Sequence, residues 1–190
     1  MTRRVRVAIV AAAAAILSMF VPGSAHAQQP PATTVPAAIP ADPADVASPD
    51  AIIGALYDVI SGPAGQSRNW NRMRSLFAPG ARLIPTGKRA DGSTSMRTLD
   101  VEGYIAGPGQ SIEAGGFFER EIGRRMERFG NVLHAFSAYE SRRKADDAKP
   151  FARGINSIQL YGDGTRWFIV TVLWDSERAD NPIPARYIGP

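Results

Sequence analysis

Three residues in the second half of the chain could move protons: Glu119, Glu121 and His134. A carboxylate in an apolar pocket loses its hydration, so its pKa climbs toward neutrality and it can take a proton from carbon beside a carbonyl. Glu119 and Glu121 are two residues apart and share one face of a strand. Glu140 falls across from them on the neighbouring segment. A structural reading competes, because Arg120, Arg124, Arg125, Arg142 and Arg153 are close enough within a sheet to pair with these acids. Histidine is the residue type whose imidazole most often serves as a general base near neutral pH, so His134 is eligible as one. With Val132, Phe136 and Ala138 at period two, it also fits a packed, hydrogen-bonded histidine. Two amides, Asn156 and Gln159, lie within an otherwise apolar hairpin and need partners there. Tyr57, Trp70, Phe77, Tyr104 and Trp174 could join them around an aromatic pocket for a flat apolar ligand, or be ordinary core.

Other chemistry is excluded. The chain has no cysteine and two histidines, one of them, His26, in the N-terminal leader. A transition-metal site would rest almost wholly on carboxylates, and no ligand motif is present. There is no Gly-x-Ser-x-Gly elbow, and neither Gly107-Pro108-Gly109 nor Gly115-Gly116 is followed by the lysine–serine pair of a phosphate loop. Nothing in the pattern calls for a cofactor. Lys and Arg number 22 against 18 Asp and Glu, but Arg3, Arg4 and Arg6 belong to the leader, and the remainder is almost balanced. Nucleic acid is therefore not expected as a partner.

The elements that must position these residues can be read in order. Arg3, Arg4 and Arg6, the apolar run Val7–Val21 and Ala25-His26-Ala27 have the pattern of a cleavable signal peptide over residues 1–27. A periplasmic or secreted protein, free of the membrane after cleavage, is the expectation. Residues 28–47, rich in Pro, Ala and Thr, read as a disordered tether, leaving one domain over 48–190. Ser48-Pro49-Asp50 starts a helix carrying Ile52, Ile53, Leu56, Tyr57, Val59 and Ile60, and Gly62-Pro63 stops it. A second helix runs from Asn69 to Phe77. Asp100 caps a third, which Gly107-Pro108-Gly109 should break. Strands are expected over Ala81–Pro85, Ser95–Leu99, Phe117–Arg128, Asn131–Arg143, Phe151–Tyr161 and Arg166–Trp174. With Asp163-Gly164 as a two-residue turn, Leu160 would pair with Trp167, Ile158 with Ile169 and Asn156 with Thr171. Both faces of the last strand are apolar. One should meet the helices and the other a second subunit, as in a homodimer.

Three stretches resemble the nuclear transport factor 2-like superfamily, in particular its SnoaL-like branch: Trp70–Ala81, Phe118-Glu119-Arg120-Glu121-Ile122 and the Arg153–Trp174 hairpin. Ile183-Pro184-Ala185-Arg186-Tyr187 is similar to the ends of exported members, and the resemblance spans about Asp50 to Glu177. It implies an α+β fold, a cone-shaped curved antiparallel sheet wrapped around N-terminal helices, with a pocket between them and dimers through the sheet. Members include ketosteroid isomerases, dehydratases and polyketide cyclases as well as proteins that only bind or assemble. Dehydratase-like members use more than one pocket histidine, which a chain with His134 alone does not supply. The expectation is a small apolar or amphipathic ligand in the cone. The alternatives are an isomerase-, cyclase- or dehydratase-type enzyme using Glu119, Glu121 or His134 as base, and a non-catalytic dimerisation module.

Overall fold

The computed structural model describes residues 39–189. The expected leader and the first part of the expected tether lie outside the described residues. The rest of the tether is structured. Asp42 caps a short helix α1 (Pro43–Val46), Val46 is buried in the core, and the Arg72 guanidinium grips both carboxylate oxygens of Asp45 at 2.7 and 2.9 Å. An ion pair and a buried valine outweigh the local proline content.

Helix α2 (Pro49–Ile60) begins as its sequence requires. The Ser48 hydroxyl accepts from the Ala51 N–H, and Pro49 occupies the first turn, where its missing donor costs nothing. Its apolar residues from Ile52 to Ile60 are buried. Asn69 caps α3 (Trp70–Leu76) and Asp100 caps α4 (Val101–Tyr104). Gly107-Pro108-Gly109 does not break the third helix. The chain widens into a π turn (Ile105–Gly109) and continues as α5 (Gln110–Gly115). A wider turn accommodates a proline that lacks the N–H for a regular α ladder. Gly116 then turns the chain with φ +70 into the third strand, and any β-carbon there would collide with the Arg143 carbonyl.

Six strands form one curved, unclosed sheet: β1 (Phe77–Lys88), β2 (Thr94–Met96), β3 (Phe118–Phe129), β4 (Val132–Arg142), β5 (Ala152–Gly162) and β6 (Trp167–Ser176). Their order is β2-β1-β6-β5-β4-β3. The sheet is not wholly antiparallel, since β1 runs parallel to β6. The concave face carries the core against the helices, with Ile52, Ile53, Met73, Leu76, Ile158, Leu160 and Ile169 fully buried.

The hairpin register differs from the expected one. Its loop has four residues, Asp163 to Arg166, because the Asp163 carboxylate accepts from the Thr165 and Arg166 N–H groups and recentres the turn on Gly164-Thr165. Gly162 therefore pairs with Trp167 and Leu160 with Ile169. A bulge at Val170 shifts the register again, so Ile158 faces Val172 and Asn156 faces Trp174. Trp167, Ile169 and Val172 are buried, while Val170 and Leu173 are each 38% exposed. Part of the convex face is covered by the chain's own C-terminal segment. Tyr187 lies 5.1 Å from the Phe136 ring, and the Gly189 N–H donates to the Ile122 carbonyl.

Candidate functional site

Between α2, α4, the π turn and the concave sheet lies a cavity of about 200 Å³. Its walls are mostly apolar: Leu56, Ile60, Met73, Leu83, Pro108, Ile112, Phe117, Val172 and Trp174. Four polar residues, Tyr57, Tyr104, Glu119 and Asn156, converge on it with Tyr139. The interior of the cone is not filled by its own side chains.

Glu119 is held by the end of α2. The Gly62–Phe117 bridge ties that end to the start of β3, and the Ser61 hydroxyl accepts from the Glu119 N–H while donating to the Tyr57 carbonyl. The carboxylate accepts from the Ser141 hydroxyl at 2.7 Å and, more weakly, from the Asn156 amide at 3.4 Å. No cation pairs with it among the described residues. Burial pushes its pKa up to about 7, against the smaller lowering by those two hydrogen bonds. Glu119 also borders a more polar cleft of about 480 Å³, lined in part by Ser61, Arg120, Arg142, Asp146 and Asp147. Glu119 thus borders both the largely apolar interior and the more polar cleft.

The Tyr57 hydroxyl lies 2.6 Å from the Ser137 hydroxyl and receives the Asn156 amide at 3.1 Å. Ser137 in turn donates to Glu121. The Tyr104 hydroxyl has no hydrogen-bond partner among the described residues. Tyr104 is 8% exposed, and its pKa is raised by burial and by the charge of Glu119. It edges onto Trp174 with ring centroids 6.5 Å apart. An unpaired hydroxyl on a buried tyrosine that lines a cavity is a donor awaiting an acceptor.

The site residues expected from sequence divide accordingly. Tyr57, Tyr104, Glu119, Asn156 and Trp174 line the cavity. Trp70 instead packs on Gly109 of the π turn, and Phe77 is buried core beside Ile169. Gln159 lies on the convex face, opposite His134 of β4. His134 is no base in the cone. It also faces outward, with Nε2 2.9 Å from the Ser157 hydroxyl and its ring against Phe136. Glu121 lies one repeat of the pleat beyond the cavity and pairs with Arg124. Glu140 does not join the other two acids, because Arg120 is its cross-strand neighbour, and it is bonded to Arg120 and Arg142, which hold its pKa low. The pairing that accounts for Glu140 does not extend to Glu119. Sequence reasoning missed Ser61, Ser137 and Ser141, whose only signal was a serine at inward-facing strand positions or at a helix end. A second groove, of about 340 Å³, lies under Pro182-Ile183-Pro184 on the convex face. Its acids Asp175 and Glu177 are paired with Arg178 and Arg153. Among the described residues no cluster of His, Cys, Asp and Glu could hold a metal, and no helix is long and apolar enough to cross a membrane.

No protein-family model matches the chain, and no curated protein matches it. Solved structures do. A protein of unknown function with a cystatin-like fold from Nostoc punctiforme aligns over 67% of this chain and 87% of its own, at 10% identity and a TM-score of 0.49. An NTF2-like protein of unknown function from Silicibacter pomeroyi aligns over 69% and 94%, at 13% identity and 0.46. LinA aligns over 73% and 88%, at 9% identity and 0.48. Helices held against a curved and unclosed sheet, as the sequence resemblance implied, are what this chain's own strand order and core show.

Proposed function

We propose that the cavity binds a compact, largely apolar molecule carrying a carbonyl group, and that Glu119 moves a proton on the carbon beside it. The carrying observation is that, among the described residues, the Glu119 carboxylate has no cation and the Tyr104 hydroxyl no partner in the same largely apolar chamber. Glu119 takes the α-proton. The C–H electron pair becomes the carbon–carbon π bond, and the carbonyl π pair moves to oxygen, where the Tyr104 hydroxyl stabilises it. Returning the proton to another carbon migrates a double bond; returning it to the same carbon exchanges it. Size limits the substrate. Apolar cavities of about 150 Å³ accept benzene, so a chamber of about 200 Å³ suits a single ring and is too small for a four-ring steroid.

The test is deuterium incorporation into cyclohexanone in D2O, followed by NMR, together with double-bond migration in cyclohex-3-enone. Rates above buffer should rise through about pH 7 as Glu119 ionises and vanish in Glu119→Gln. No acceleration, or an equally active Glu119→Gln variant, would refute the reading.

Export and dimerisation are proposed alongside it. The leader pattern supports export, tested by N-terminal sequencing of secreted protein for cleavage after Ala27. The uncovered strip at Val132, Tyr161, Val170 and Leu173 supports a second subunit, tested by sedimentation equilibrium.

A further inference from the structure

A hydroxyl has one proton, and that fact orders the polar side of the cavity. Ser137 is fully buried on β4 and gives its proton to Glu121. Glu121, ion-paired with Arg124, is a carboxylate and can only accept. With its proton spent, the Ser137 oxygen can only accept from Tyr57, 2.6 Å away. The Tyr57 proton therefore points out of the cavity, and its oxygen accepts from Asn156. Four groups form one directed chain, Asn156 to Tyr57 to Ser137 to Glu121, with every proton aimed at the carboxylate.

We infer that Glu121, which does not line the cavity, is a positioning residue: its charge holds Tyr57 as a hydrogen-bond acceptor toward the ligand and leaves Tyr104 as the donor. The inference rests on the cavity being the binding site proposed above. It names a ligand preference. The wall formed by Glu119 and the Tyr57 oxygen selects a hydrogen-bond donor on the ligand, such as a hydroxyl, while Tyr104 selects a carbonyl. The favoured ligand carries both on one small ring or chain. In Glu121→Gln the side-chain amide can donate to Ser137. The Ser137 proton then turns to Tyr57, and the Tyr57 proton turns into the cavity.

Two measurements test this. Neutron diffraction of deuterated crystals should place the Tyr57 deuteron toward Ser137 in the unmodified protein and away from it in Glu121→Gln. A deuteron pointing into the cavity in the former, or unmoved in the latter, would overturn the inference even if no ligand binds. Binding of cyclohexanol and cyclohexanone gives the second readout. Glu121→Gln should shift the affinity ratio toward the ketone by about fivefold, the worth of one reversed hydrogen bond. Simple loosening of the site would weaken both alike. In a Tyr57→Phe background Glu121→Gln should leave the ratio unchanged, and a shift that persists there would show that the charge acts through space and not through the chain. Ser137→Ala cuts the chain one link further out and must give the same result.

Discussion

Replacing Glu119 by glutamine should change stability in a way that depends on pH. The carboxyl's pKa rises from 4.5 in the unfolded chain to about 7 in the folded one. An acid whose folded pKa is raised binds more protons folded than unfolded between those values, so stability falls as pH rises across that window. A tenfold change in an acid's ionisation constant corresponds to about 1.4 kcal/mol, so ionised Glu119 costs the fold on the order of 3 kcal/mol once pH exceeds 7. Glutamine keeps the size and can still accept from Ser141 but never ionises. Urea denaturation of both proteins from pH 4 to 8.5 isolates the effect, because every other titrating group cancels in the difference. The variant should match the parent near pH 4, gain through pH 5 to 7, and level off about 3 kcal/mol more stable above pH 7.5. A difference that stays flat with pH, or that shows the variant losing stability as pH rises, would mean that the carboxylate is solvated or paired.

Tyr104→Phe should leave stability almost unchanged, since the hydroxyl has no hydrogen-bond partner among the described residues, yet lower the cyclohexanone exchange rate by about 10²-fold, as loss of one oxyanion donor does; rate and urea midpoint measured together separate the two. Gly154→Ala drives a methyl into the Asp175 carbonyl and the Tyr139 hydroxyl, and should cost about 3 kcal/mol in chemical denaturation. Arg68 is 6% exposed and donates to the carbonyls of Ile60, Gly62, Pro63, Gln66 and Ile112. Arg68→Met removes all five bonds, and although Gly62 keeps the Phe117 N–H and Pro63 the Gln66 N–H, it should cost roughly 3 kcal/mol, read as a lowered urea midpoint.

Helices α2, α3 and α4 were legible because their start signals are local, whereas α1 and α5 were not expected. Ser48, Asn69 and Asp100 each cap the helix whose start they mark, through their own side chains. The strands were legible as segments for the same reason. Their register was not, because it depends on which proton Asp163 accepts and on one extra residue at Val170. That bulge decides which residues of β6 face the core. The unpaired state of Glu119 was hidden by alternation. Arg120 is adjacent in sequence, but the pleat sends it to the opposite face, where it meets Glu140. His134 and Gln159 likewise fall outside the cone by a single step of the same alternation. Nothing in the one-dimensional pattern showed that Tyr104 would end without a partner.

The parallel pairing of β1 with β6 also governs when the chamber can exist. Phe77 meets Ile169 and Pro85 meets Trp174, partners about ninety residues apart, and closing such a loop is entropically slow. The hairpins β3–β4, β4–β5 and β5–β6 can each form from neighbouring segments. The first strand, synthesised early, has only the short β2 beside it until the last strand is made. Leu83 and Trp174, on opposite sides of that late seam, both line the cavity. A chain truncated before β6 is therefore a molecule with no chamber and an open strand edge, prone to pairing with its neighbours. Assembly of the binding site and burial of that edge are the same final event.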